Sequence, residues 1–254
     1  MPLYTADALV LRTYALRESD RIVVFLTADR GKKRGVARAA RRPRSRFGGA
    51  LEPFTHVRVA YFERESRELV NLNYAEPLRS PLGAPGDAVG YASYFAELLD
   101  EWAPADDADV RIYRLGVSVL EAMTGGIAVD RLARYFEYWL LRLQGVYPPH
   151  AKCHRCQGAL APGEGAWLSP PAGVFTCERC AARPGDEHAG TAVSAGALAY
   201  LVAARRRAPG ELASVTVSGR ALAELARLHR ALMARHLERE LKSVRVLQRM
   251  TNDD

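Results

Sequence analysis

The sequence predicts an α+β chain with two domains: a small antiparallel β-barrel, then an all-α domain with an inserted four-cysteine zinc knuckle pair. Three observations predict it. Apolar residues alternate with a period of two through roughly the first eighty residues. They recur at helical spacing from Val89 onward. The only four cysteines of the 254 residues form two C-x2-C pairs with twenty residues between them.

The strands come first. Ala8 to Leu16 is rich in apolar residues, and Arg21 to Thr27 is a β-branched and aromatic run. Val57, Val59 and Tyr61 alternate with Arg58, Ala60 and Phe62, and Val70, Leu72 and Tyr74 alternate with Asn71, Asn73 and Ala75. Short alternating runs between polar turns argue for a small antiparallel sheet. About five strands in this length fit an OB-type barrel, and other small barrels fit the same pattern.

Pro77, Pro81, Gly83, Pro85 and Gly86 then mark a linker. The expected domains are 1–80 for the barrel and 86–254 for the helices, with a zinc-binding insertion at 150–184. Val89 to Trp102 reads as a helix stopped by Pro104. Asp106, Asp107 and Asp109 suit the positive end of the next helix, which runs through Leu115, Val119 and Met123 to Gly125-Gly126. Asp130 to Val146 is a third. Ser194 caps a helix to Arg207, and Ser218 caps a last long one through Leu237 and Leu241.

Cys153, Cys156, Cys177 and Cys180 have the spacing of a tetrahedral thiolate site for one structural Zn²⁺. Each C-x2-C turn aims two sulfurs at one point, and two turns complete the tetrahedron. Such a closed site leaves no position for substrate. Disulfides or redox dithiols are the alternatives. About 35 Pro/Gly-rich residues are too few for a core of their own, so the metal takes its place. Trp167 to Phe175 reads as a short hairpin between the knuckles.

The hydrophobic fraction is 48%, and the net charge of +7 suits an anionic partner. The charge is concentrated at residues 30–46, where nine of seventeen residues are Lys or Arg and none is acidic. Such density needs a counter-charge, and a phosphate backbone supplies one. A solvated loop is the bland alternative. Phe47 is the only aromatic there, so phosphate contacts are expected to dominate over base stacking. A second concentration is expected on the last helix: Arg220, Arg227, Arg230, Arg235, Arg239, Lys242, Arg245 and Arg249, with Arg205 to Arg207 before it.

Several chemistries lack their motifs. There is no G-x-x-x-x-G-K-[ST], G-x-S-x-G, H-E-x-x-H or G-x-G-x-x-G. No apolar run is long enough to span a bilayer, and the first residues lack the pattern of a secretory signal. A cytoplasmic protein is expected. The acidic group near Asp107 could serve a metal-dependent nuclease, but capping a helix explains it more simply. His154 falls inside the first knuckle, where four thiolates already suffice. His229 and His236 share a helix face, and His56, His150 and His188 belong to no recognisable constellation.

Some local stretches resemble a known family. Ala8-Leu9-Val10-Leu11 with Arg17-Glu18-Ser19-Asp20 resembles the opening of the bacterial recombination mediator family RecO. Thr27-Ala28-Asp29-Arg30-Gly31, with Gly35-Val36-Ala37-Arg38-Ala39-Ala40-Arg41-Arg42 and Ser45-Arg46, resembles its Gly/Ala/Arg segment, and Leu51-Glu52-Pro53-Phe54 and Ala75-Glu76 follow in the family's order. The cysteine pairs sit where many members carry them. The resemblance implies an OB fold and a non-enzymatic role in DNA repair. It implies binding of single- and double-stranded DNA, annealing of complementary strands, and cooperation with RecR, the single-strand-binding protein and, indirectly, RecA. It places DNA contacts on Lys32, Lys33, Arg34, Arg38, Arg41, Arg42, Arg44 and Arg46. The alternative is a zinc-containing docking or transcription-associated factor that anneals nothing.

Overall fold

The computed structural model describes residues 2–64, 68–86, 88–160, 163–183, 190–237, 241–243 and 247. Five strands close a barrel: β1 (Leu3–Leu16), β2 (Asp20–Thr27), β3 (Gly31–Ala37), β4 (His56–Phe62) and β5 (Leu69–Arg79). Their order is β1-β2-β3-β5-β4, with β4 pairing back to β1. Every pairing is antiparallel except β3 with β5. This is the OB-like barrel the pattern predicts.

Burial does not follow period two everywhere, and β1 shows why. Ala8 to Leu11 are all buried, because both faces of β1 are covered. Ala8 and Val10 point into the barrel core with Val23, Phe25, Val59, Tyr61 and Leu72. Leu9 and Leu11 take the other face, the side on which β1 meets the helices α1 (Ala88–Trp102) and α2 (Val110–Thr124). The register shifts between Val10 and Arg12, a bulge that bends the strand around the barrel.

The barrel strand missing from the sequence reading is β3. Gly-Lys-Lys-Arg-Gly-Val-Ala offers almost no apolar alternation, and the pairing rather than the side chains makes it a strand. Gly31 turns at φ 65°, and a Cβ there would collide with the Asp107 backbone. Gly35 is buried, where a Cβ would collide with the side chain of Leu72.

The helices begin where their caps predict. Asp109 accepts from the amides of Arg111 and Ile112, Ser194 from Ala197, and Ser218 from Ala221. They open α2, α5 (Ala195–Arg206) and α6 (Gly219–Ala234). The third helix, α3, is Val129–Leu143. The last helix is shorter than expected: α6 stops at Ala234, so Leu237 and Leu241 lie beyond it. The chain departs because Leu241 is buried elsewhere and Glu97 accepts from the amides of Lys242 and Ser243.

The chain folds as two compact units. One holds residues up to Val129 with the described residues from Leu241 onward, and the other spans Asp130–Glu240. In the second unit the expected hairpin is present as β6 (Ala166–Ser169) and β7 (Val174–Cys177), followed by the short helix α4 (Glu178–Ala181). A third strand, β8 (Thr191–Val193), joins the sheet in the order β7-β6-β8. No helix among the described residues is long and apolar enough to cross a membrane.

Candidate nucleic-acid interface and metal centre

The basic segment divides into two classes of side chain. Lys32 and Lys33 lie on β3, half-buried and paired with carboxylates. The Lys32 ammonium donates to the Asp100 carbonyl at 2.5 Å and pairs with the Asp100 carboxylate at 3.4 Å. Lys33 is only 12% exposed and bridges Glu63 at 2.7 Å and Asp106 at 2.8 Å. Burial alone would lower the Lys33 ammonium, but those two carboxylates outweigh it and hold it above the ordinary lysine value. Arg30 likewise pairs with Glu63 and stacks on Tyr4 at 3.9 Å.

Arg34, Arg38, Arg41, Arg42, Arg44 and Arg46 are exposed instead. None of the six makes an ion pair with a carboxylate among the described residues. From Arg38 onward they sit on an irregular turn following β3. Its far end is pinned by Phe47, which is 2% exposed within the barrel core. The one aromatic of the segment is therefore an anchor and offers no stacking platform.

Two adjoining grooves run beside this turn. One, of about 640 Å³, is lined by Leu16, Arg17, Asp20, Val36, Arg38, Glu68, Leu69 and Asn71. The other, of about 380 Å³, is lined by Arg38, Arg46, Phe62, Arg64, Asn71, Leu72 and Asn73. Arg38 and Asn71 belong to both. The grooves lie by the β1–β2 turn and the β4–β5 connection, the loops with which OB barrels grip oligonucleotides. Arginines and asparagines line both grooves, with Asp20 and Glu68 in the larger; in the smaller, cations outnumber acids and suit a phosphodiester strand.

Arg17, Arg64, Asn71 and Asn73 escape the sequence reading. Arg17 and Arg64 each stand beside a glutamate, so neither registers as charge excess. Asn71 and Asn73 carried one available signal: they alternate with the buried Val70 and Leu72, which turns them outward.

The acidic group near Asp107 is accounted for by structure. Asp106 pairs with Lys33, the Asp107 backbone packs on Gly31, and Asp109 caps α2. Hydrogen bonds from Arg111 lead in holding the Asp109 carboxyl below its usual range.

Among the described residues, the one cluster suited to a metal is Cys153, Cys156, Cys177 and Cys180. Their sulfurs all lie within 4.8 Å of one another, and Cys156 and Cys177 are 3.9 Å apart. Cys153 and Cys156 belong to one turn, Cys177 ends β7, and Cys180 lies in α4. Burial would raise the Cys153 thiol, but the amides of Cys156, Cys177 and Arg155 outweigh it and bring the thiol down. Cys180 is pushed up, first by its hydrogen bond to Cys177. Four thiols this close cannot all ionise without a cation among them, so the donor set fits a soft divalent metal. His154 is exposed and gives no ligand atom to the cluster.

The other histidines are structural or peripheral. His229 is fully buried, 2.9 Å from Glu137, which also pairs with Arg134 at 2.7 Å. His56 sits 2.9 Å from the Tyr113 hydroxyl. His188 and the basic positions Arg239, Arg245 and Arg249 lie outside the described residues. Arg220, Arg227, Arg230 and Arg235 are exposed on or just beyond α6.

Comparison with known proteins gives a consistent result. A family model described as "Recombination protein O N terminal" matches residues 1–81, and "Recombination protein O C terminal" matches residues 85–245. Relatives named "DNA repair protein RecO" match at nearly full length. That of Koribacter versatilis is 35% identical, covering 98% of this chain and 99% of the relative. That of Nocardioides sp. is 35% identical, covering 97% and 100%. That of Pelotomaculum thermopropionicum is 34% identical, covering 98% and 95%. With an OB-like barrel, a helical region carrying a four-thiol cluster, and family matches to both, this chain belongs to the RecO family of DNA repair proteins.

Proposed function

We propose that this protein is a non-enzymatic recombination mediator that handles DNA strands by neutralising their charge. Arg34, Arg38, Arg41, Arg42, Arg44 and Arg46, with Arg17 and Arg64 beside the grooves, bind phosphates. Lys32 and Lys33 serve the fold and reach DNA weakly or not at all. Screening the phosphates of two complementary strands lets them approach and pair, and no bond is made or broken. Partners are single- and double-stranded DNA, RecR, the single-strand-binding protein and, through them, RecA, in the cytoplasm at the nucleoid. Cys153, Cys156, Cys177 and Cys180 hold one Zn²⁺, which braces the helical region without acting on DNA chemically.

One observation carries this reading: six exposed guanidiniums on β3 and the turn after it, two of which (Arg38 and Arg46) line the grooves, make no ion pair with a carboxylate among the described residues. A polyanion completes them. Annealing and strand binding by Arg38→Glu/Arg41→Glu/Arg42→Glu are the test. Both should fall steeply, and the logarithm of wild-type affinity should decline with the logarithm of salt by about 0.7 per phosphate on single strands. Unchanged annealing with unchanged affinity refutes the proposal. Failure of the unaltered protein to retain DNA at low salt points to the docking factor instead.

A further inference from the structure

Two carboxylates, Asp20 and Glu68, line the larger groove beside Arg17 and Arg38. Asp20 begins β2. A negative charge in the groove repels phosphate, and what Asp20 contributes lies in its hydrogen bonds.

Oδ1 of Asp20 accepts from the Ala39 amide at 2.8 Å and from the Ser19 hydroxyl at 3.2 Å. Ala39 stands at φ 57°, in the left-handed region that a residue with a Cβ enters at a cost. It is also the point at which the chain leaves β3 and enters the basic turn. Two further bonds join the same two segments. The Arg41 amide donates to the Ser19 carbonyl at 2.9 Å, and the Arg41 guanidinium donates to the Arg17 carbonyl at 3.2 Å. The β1–β2 turn thus clips the start of the basic segment, and Asp20 supplies the side-chain acceptor of the clip. The Ala39 amide leads in holding its carboxyl below the usual aspartate range, helped by Ser19, Arg17 and Arg38 against the cost of burial.

We infer that Asp20 is a positioning residue for DNA. It fixes the left-handed turn at Ala39 and so aims Arg38, Arg41 and Arg42 along the groove, at the expense of some repulsion. The inference rests on the reading that these arginines contact phosphates. Without the clip the same cations remain but are not held in register, and part of the binding free energy goes to ordering them.

Two substitutions that remove the same charge separate this from plain electrostatics. Asp20→Asn keeps the acceptor for Ala39 and loses the repulsion, so it should bind a single-stranded oligonucleotide as tightly as the unaltered protein or about twofold tighter. Asp20→Ala loses the acceptor and should bind about tenfold more weakly, with faster hydrogen exchange at residues 39–46. Adding Ala39→Gly to Asp20→Ala should recover most of the loss, since glycine takes positive φ freely. Asp20→Glu keeps the charge but misplaces the acceptor and should also bind more weakly, which preserves the test if the alanine variant folds poorly. Equal tightening by the asparagine and alanine variants overturns the inference, as does undiminished binding by Asp20→Glu. If Arg38→Glu/Arg42→Glu leaves affinity unchanged, it is the DNA-binding reading itself that fails.

Discussion

The barrel and the cysteine module solve the same problem with different materials. The barrel buries fourteen apolar residues in one cluster, among them Phe25, Phe47, Tyr61 and Leu72. The module's own cluster is Cys153, Cys177 and Cys180 with Leu160 packed against it. Burial of apolar surface stabilises the first at about 25 cal/mol per Å². Among its described residues the second buries as apolar side chains only Ala166, Leu168 and Phe175 besides those three cysteines, with Leu160 partly buried, so its stability also depends on what four sulfurs hold. The division extends to their cations. The barrel spends Lys32 and Lys33 on internal pairing and leaves six arginines outside.

The largest expected effect sharpens this contrast. Chelating the proposed zinc, or replacing Cys177 with Ser, removes a binding term of about 10 kcal/mol or more from the module. Residues 150–183 should become protease-sensitive and exchange freely, while the barrel's unfolding transition stays in place. Loss of both regions together breaks the comparison. Phe25→Ala is the reverse experiment. It should cost the barrel about 3–5 kcal/mol in denaturant and leave the bound-metal stoichiometry unaltered.

One pH effect should arise at His150 in the second unit. Burial, reinforced by Arg205 and Arg142, lowers His150 from 6.5 to about 4. The unfolded chain takes up a proton below about 6.5 that the folded chain refuses until about 4. Stability from this group is therefore complete above about 6.5 and falls by about 3 kcal/mol as pH drops through that window. Denaturant melts of His150→Phe should show a flatter slope between pH 4 and 6.5. A slope equal to that of the unaltered protein would discard His150 as its source.

The smallest effect tests the two classes of cation. Lys33→Met should lower barrel stability by about 1 kcal/mol, because Glu63 and Asp106 lose their partner while keeping access to water. Oligonucleotide affinity should stay within about twofold of the unaltered protein. A loss as large as that of Arg38→Glu would return Lys33 to the interface.

Local chemistry was readable in advance. Asp109, Ser194 and Ser218 cap helices because their short side chains reach amides within three residues, and spacing alone brings each C-x2-C pair into one turn. The alternation of Val57, Val59 and Tyr61 marks β4 because those three meet the barrel core. What stayed hidden depended on distant partners. The strand character of Gly31–Ala37 comes from pairing with β2 and β5, since its own side chains carry no period. The early end of α6 follows the burial of Leu241 and the Glu97 bonds, neither of which is local.

By itself, then, the sequence determined where helices start, which sulfurs come together and where positive charge accumulates. These are matters of a few neighbouring residues. Only the tertiary structure decided which positive charges are free. Lys33 and Arg38 look alike in a run of nine cations, yet Glu63 and Asp106 reach one of them across the fold and no carboxylate among the described residues pairs with the other. Ion pairing depends on distance in space, and the chain brings residues 33, 63 and 106 together only by closing the barrel and laying the α1–α2 connection against it.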